Sequence, residues 1–351
     1  MKLKDAKTLI IQMVKHKVKA PLVLRGGAGI GKTQTVIDIG NELNIPVVIL
    51  RLGSLSDSGD LLGLPIIIEE EGQKITKFSD PWWFKIFTEK NTGILFLDEL
   101  NRCKQQMLDS IMQLLDQRRL NEYVLPDGVI IVGAINPDSD EYYVSEFEKA
   151  MRDRLVIIDV TNEFEDVYNY FLNMNAPAEI LELLMAGKDE LIVDDRSKGT
   201  EKNFTPRGIR QLIQFFEVAK NVGCLNEIVL ACIGPVGLQI WRNLKIYKDV
   251  PDAEEYLKNS SRYDVENYDI IKQRILLGRL AVAASKILKN ENYIKSFAEF
   301  LKKLKNPVFA LFYRLACENP QLSKLLSHPI IYSNQELETK ARQIEEIRNR
   351  K

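Results

Sequence analysis

Residues Gly26-Gly27-Ala28-Gly29-Ile30-Gly31-Lys32-Thr33 read G-x-x-x-x-G-K-T, one residue beyond the apolar run Leu22-Val23-Leu24 and directly before an amphipathic stretch from Thr33 to Leu43. The strand-loop-helix order gives the pattern its meaning. Glycines let backbone N–H groups close around phosphate oxygens, and the helix that follows points its positive end at them. Lys32 is then placed to reach the β- and γ-phosphates of a nucleotide, and Thr33 to ligate Mg²⁺. The plain alternative is a chance glycine-rich turn, which a strand on one side and a helix on the other make the poorer reading. Gly26, Gly27, Ala28, Gly29, Ile30, Gly31, Lys32, Thr33 and Gln34 form the expected nucleotide-binding stretch.

The chain has 351 residues, enough for two or three units of roughly 100 to 200 residues each. Apolar residues make up 45% and charged residues 28%, a composition that excludes a disordered chain. Lys and Arg total 48 against 49 Asp and Glu, so no global charge draws the chain to a polyanion. Cys103, Cys224, Cys232 and Cys317 are scattered, without a CxxC pair, and His16 and His328 are the only histidines; a zinc site or a disulfide scaffold is not expected. No run of about 18 apolar residues occurs, and the N-terminus lacks the features of a signal peptide. The chain reads as cytoplasmic, with no membrane partner.

The first 160 residues alternate short apolar runs with amphipathic stretches, the rhythm of a parallel sheet covered by helices. Five strands are expected at Leu22 to Leu24, Val47 to Leu50, Ile94 to Leu97, Ile130 to Ile135 and Val156 to Val160. Helices are expected at Thr33 to Leu43, Gln106 to Gln117 and Glu146 to Asp153. A hairpin turning at Glu71-Gly72 is inserted over residues 60–78, and a shorter one near 119–129 is expected to turn at Pro126-Asp127-Gly128. Trp82-Trp83-Phe84, beyond the first hairpin, reads as packing between insert and core. From about residue 162 the periodicity becomes helical. Thr205 as N-cap and Pro206 at the first helical position start the clearest helix, which runs to Val222. Residues 187–202 are polar and read as a surface loop.

The third strand ends in Asp98-Glu99, two carboxylates at the edge of the sheet where ligands of parallel sheets bind. Asp98 is expected to hold Mg²⁺, and Glu99 to act as the general base that polarises an attacking water. The fourth strand ends in Asn136, whose neutral amide can hydrogen-bond that water without competing for its proton. Taken alone, Glu99 reads as an exposed charge at a strand end and Asn136-Pro137 as a turn.

In combination these features resemble an AAA+ ATPase. Asp60-Leu61-Leu62-Gly63-Leu64-Pro65, Asp98-Glu99-Leu100-Asn101-Arg102 and Asn136-Pro137 are similar to the MoxR and dynein-related, midasin-like branch, over roughly residues 8–240. The resemblance implies a P-loop αβα core, here with a five-stranded parallel sheet over residues 1–162, and an all-helical lid over 163–248; residues 249–351 lie beyond it and read from their amphipathic periodicity as a C-terminal helical extension. It implies ATP and Mg²⁺ as ligands and a homo-oligomeric ring, usually of six, with nucleotide between neighbouring subunits. In that setting Asn136 would be the sensor-1 residue and Arg207 the sensor-2 residue. Arg154 or Arg152 would be the arginine finger; the branch usually has an aromatic after the finger, whereas Leu155 follows here. The hairpins at 60–78 and 119–129 would be the inserts of the branch.

The leading functional reading is an ATP-driven machine that remodels or activates a separate protein, in this branch often one with a VWA domain. The alternative is a nucleic-acid motor or restriction-type NTPase, and a slow nucleotide-gated switch is a third reading. Residues 279–324 carry nine basic residues against three acidic ones, a mildly basic helical region that reads first as a solvated face. The choice between ATP and GTP is not legible in these residues.

Overall fold

The computed structural model describes residues 1–55, 59–70, 72–136, 155–191 and 203–349, with the side chains of 105, 106 and 345–349 left aside. Its chain divides into two compact units, one over residues 1–162 and one from Glu163 onward.

The first unit is built on five parallel strands: β1 (Leu22–Arg25), β2 (Val47–Arg51), β5 (Gly93–Asp98), β8 (Val129–Ile135) and β9 (Val156–Asp159), in the order β2-β5-β8-β1-β9. Both kinds of alternate position on the central strands are apolar, and the sheet is covered on both faces for that reason. Leu22, Leu24, Ile94, Phe96, Ile130 and Val132 join Leu3, Ala6, Ile10 and Met13 of helix α1 (Leu3–His16) and Val36 and Ile39 of α2 (Lys32–Leu43). The alternate residues Val23, Leu95, Leu97, Val129, Ile131 and Ile135 pack on the opposite face against Met107, Ile111 and Leu114 of a helix over Gln105–Gln117.

The expected insert is a two-stranded ribbon, β3 (Pro65–Glu70) paired antiparallel with β4 (Gln73–Phe78), with Gly72 at φ 78°. In the helix that follows, Trp82–Lys90, Trp83 and Phe84 are buried and the Trp83 indole N–H donates to Leu61 O at 3.2 Å, so these two rings pack as expected. Trp82 does not: it is 63% exposed. The shorter hairpin also departs from expectation. Its strands are β6 (Arg119–Leu120) and β7 (Tyr123–Val124), and it turns at Asn121-Glu122 rather than at Pro126-Asp127-Gly128. Asn121 takes the left-handed conformation (φ 48°), which asparagine tolerates better than most residues. Arg118 donates to Pro126 O at 3.0 Å and to Val129 O at 2.5 Å, which fixes Pro-Asp-Gly as the approach to β8. Tyr123 Oη donates to Phe78 O at 2.6 Å and so ties the short hairpin to the end of the long one.

The second unit is helical. Its apolar cluster runs from Phe164 through Leu181, Phe216, Tyr256, Ile275 and Phe309 to Leu337, so residues on both sides of position 248 share one core. The helix Pro206–Val222 starts as expected, with Thr205 Oγ1 accepting from Gly208 N at 3.2 Å. Among the basic residues of 279–324, Arg279 forks onto Glu182 at 2.9 and 3.0 Å, Arg314 bonds Glu165 at 2.9 Å, and Lys295 and Lys302 pair within their own helix. Among the described residues no helix is long and apolar enough to cross a membrane.

Glu165 is 4% exposed and lies between Lys188 at 3.4 Å and Arg314 at 2.9 Å. Burial pushes its carboxyl up, and the two cations more than offset that, so the group sits below the usual carboxylate range. A lowered folded-state value stabilises the fold above the unfolded-state pKa and is lost as pH falls through the folded-state one. Glu165→Gln is therefore expected to cost about 3 kcal/mol near neutral pH, the low end for breaking a buried pair because Arg314 is half exposed. In urea unfolding the gap from wild type should narrow as pH falls below the usual carboxylate range; a gap independent of pH would contradict the pairing.

Candidate active site

The loop between β1 and α2 is shaped by backbone geometry before any side chain enters. Gly31, the N-cap of α2, has φ 104°, a conformation that side chains resist. A Cβ at Gly26 would lie 2.5 Å from Val160 O, so the loop leaves the sheet at a point where only hydrogen fits. Gly26 N–H donates to Ile135 O at 3.1 Å, and Asn162 Nδ2 to Ile30 O at 3.1 Å, which holds both ends of the loop. Beside it Arg25 forks onto Asp159 at 2.6 and 2.8 Å and clamps the end of β1 to the end of β9.

Lys32 is 6% exposed. Its Nζ donates to Gly26 O at 2.6 Å, to Gly27 O at 2.9 Å and to Asn136 Oδ1 at 2.8 Å. Thr33 Oγ1 donates to Asp98 Oδ2 at 3.0 Å. These contacts follow from topology. β1, β8 and β5 are adjacent parallel strands, so the loop after β1, Asn136 after β8 and Asp98 at the end of β5 emerge side by side. Gln34 points along its own helix, with Nε2 donating to Asp38 Oδ1 at 2.7 Å.

Glu99 follows in the left-handed conformation (φ 53°, ψ 43°), which costs a residue with a Cβ about 1 kcal/mol or more. Its backbone N–H donates to Asp98 Oδ1 at 3.1 Å, and its own Oε1 accepts from Arg102 Nη1 at 3.2 Å. Asn101, 2% exposed, donates from Nδ2 to Asn136 O at 2.9 Å. Two positions here were not assigned a role from sequence: Asn101 as the brace of Asn136, and Arg102 as the partner of Glu99. Both stand within Asp98-Glu99-Leu100-Asn101-Arg102, whose clustering was the available signal.

A loop of this shape with a buried ammonium suits a polyphosphate, and the hydroxyl-carboxylate pair of Thr33 and Asp98 is an all-oxygen donor set of the kind Mg²⁺ prefers when phosphates complete its shell. Arg152 and Arg154, with the helix expected over 146–153, lie outside the described residues. Arg207 is exposed on the first turn of the Pro206–Val222 helix, in the second unit.

The family profile of the AAA domain, dynein-related subfamily, matches residues 21–155, from the first strand of this sheet to the start of the last. Over those residues the chain is similar to the dynein-related AAA domains. An uncharacterized protein of Staphylococcus epidermidis is 30% identical over 166 residues, which cover 44% of this chain and 59% of that one. Midasin of Giardia intestinalis is 28% identical over 176 residues, 45% of this chain and 4% of midasin. The chain thus spans less than two thirds of the length of these relatives. Among solved structures, a Thermotoga maritima RuvB mutant aligns over 82% of each chain with a TM-score of 0.40 and 16% identity.

Charge-assisted hydrogen bonds contribute about 1.5–3 kcal/mol each, so Lys32→Ala should weaken nucleoside triphosphate binding by about 10- to 100-fold. Anisotropy titration with a fluorescent ATP analogue measures this; an unchanged affinity would remove Lys32 from phosphate binding.

Proposed function

We propose that this AAA+ chain hydrolyses ATP at a site completed by a neighbouring copy of itself, in a ring usually of six, and that turnover remodels or activates a separate partner protein. One observation carries the reading: Lys32, Thr33, Asp98 and Asn136 are linked by hydrogen bonds across the ends of three adjacent strands. The groups expected to grip phosphate, to hold metal and to orient water stand in one place.

Each residue then has a role. Lys32 exchanges its carbonyl partners for β- and γ-phosphate oxygens, and the loop from Gly26 to Gln34 wraps the rest of the triphosphate. Thr33 and Asp98 would hold Mg²⁺, whose charge offsets that of the phosphates. Asn136 orients the attacking water through its amide, held in place by Asn101. Glu99 accepts that water's proton. Arg154, or Arg152 two residues before it, reaches the γ-phosphate of the neighbouring subunit, as transfer chemistry allows in trans. Arg207 contacts the γ-phosphate from the helical unit. Its place on the first turn of a helix supports this, since a cation there meets the unfavourable end of the dipole and gains from a local anion. Residues 163–248 then act as the lid that moves with the nucleotide cycle, with 249–351 as an extension carried by it. The partner is a protein, with a VWA-domain protein as the first candidate.

Glu99→Gln is expected to keep nucleotide binding and to lower steady-state hydrolysis by about 10²- to 10⁴-fold, the usual contribution of a general base. Near-normal turnover would remove Glu99 from that role. Arg154→Ala and Glu99→Gln chains should each be nearly inactive alone and regain hydrolysis when mixed, because a mixed interface pairs an intact base with an intact finger. A rate per chain that stays constant on dilution to monomer would contradict a shared site.

A further inference from the structure

The ion pair between Glu99 and Arg102 lies against Gly53, which belongs to a short turn, Leu52–Ser54, directly after β2. A Cβ built at Gly53 would stand 2.9 Å from Glu99 Oε2, 3.3 Å from Arg102 Cβ and 3.6 Å from Arg102 Cδ. Gly53 is not among the residues with positive φ, so its backbone does not demand glycine; a Cβ there would instead press on the end of the Glu99 side chain and displace it. The left-handed turn at Glu99 brings its carboxylate back over Arg102, three residues on, where Oε1 accepts from the guanidinium while Oε2 faces the bare Gly53.

We infer that Arg102 is a positioning residue that restrains Glu99, with Gly53 as the seat in which the pair rests. The inference depends on the reading of Glu99 as general base: a carboxylate oxygen that accepts from a guanidinium must leave it to accept a proton from water. Side-chain exposures of 45% for Arg102 and 35% for Glu99 make the pair weak, so the restraint is one that turnover breaks in every cycle. It sets the basal rate without touching the nucleotide, whose contacts lie with Lys32 and its loop.

Arg102→Gln, which keeps a long side chain but no charge, is expected to raise basal kcat at low salt by about 1.5- to fivefold, the range a half-exposed pair supports, with KM for ATP unchanged. Arg102→Lys should return the rate to that of wild type. Added salt should raise the wild-type rate toward that of Arg102→Gln, since screening weakens the same pair. Gly53→Ala, which crowds the seat, should raise kcat in the wild-type background and add nothing to Arg102→Gln. A fall in kcat, or no change at low salt, in an Arg102→Gln protein with wild-type thermal stability would overturn the restraint. Retained turnover in Glu99→Gln would instead show that the assignment of the base is at fault, and with it the reason for restraining it.

Discussion

A buried ammonium organises this molecule's first unit. Lys32 is almost fully withdrawn from water, and a charge so placed has to be met by oxygen atoms close at hand. Among those oxygens are two carbonyls of its own loop and the side-chain oxygen of Asn136, on the neighbouring strand end. The same bonds that solvate the charge therefore fix the shape of the loop and couple it to the end of β8. Asn101 extends the linkage to the turn after β5, where Asp98 reaches back to Thr33. The result is a closed circuit of polar contacts around one spot at the edge of the sheet.

The circuit depends on a sheet that places three strand ends within a few ångströms. β8 is buried along its whole length, and β5 along all but Asp98, because both alternating sets of side chains are apolar. Such strands have no solvent face to trade with the core face, so their positions, and those of Asp98 and Asn136 at their ends, are held by packing on two sides. Glu99 stands apart from this rigidity. Its backbone is in the left-handed conformation and its carboxylate rests on a half-exposed cation rather than on the packed sheet.

What could be read from the residues alone follows the same physics. The five strands were legible as short apolar runs, buried in β1, β5 and β8 though largely uncovered in β9, and the loop was legible because its glycines and lysine answer to one chemical task. The turn of the short hairpin was not. Pro126-Asp127-Gly128 is the stronger local signal, and what overrides it, the two bonds of Arg118 to carbonyls beyond the hairpin, exists only once β8 is in place. Trp82-Trp83-Phe84 was read as packing, which holds for two of the three rings; the helix they begin sends adjacent residues to different faces, and Trp82 points outward. The pairing of Glu99 with Arg102 was hidden because it needs a left-handed residue at a position where sequence gives no glycine. Asn101 and Arg102 were visible only as members of a cluster, without the geometry that separates their tasks.

The central claim is that the circuit around Lys32 takes a nucleoside triphosphate together with Mg²⁺ through Thr33 and Asp98. Calorimetric titration of the intact chain with ATP, in Mg²⁺ and in excess chelator, measured for wild type and for Asp98→Asn, tests it most directly. The account predicts tighter binding in Mg²⁺ for wild type and loss of most of that difference in the variant. Equal affinity with and without the metal, or a metal dependence that Asp98→Asn leaves intact, would contradict it.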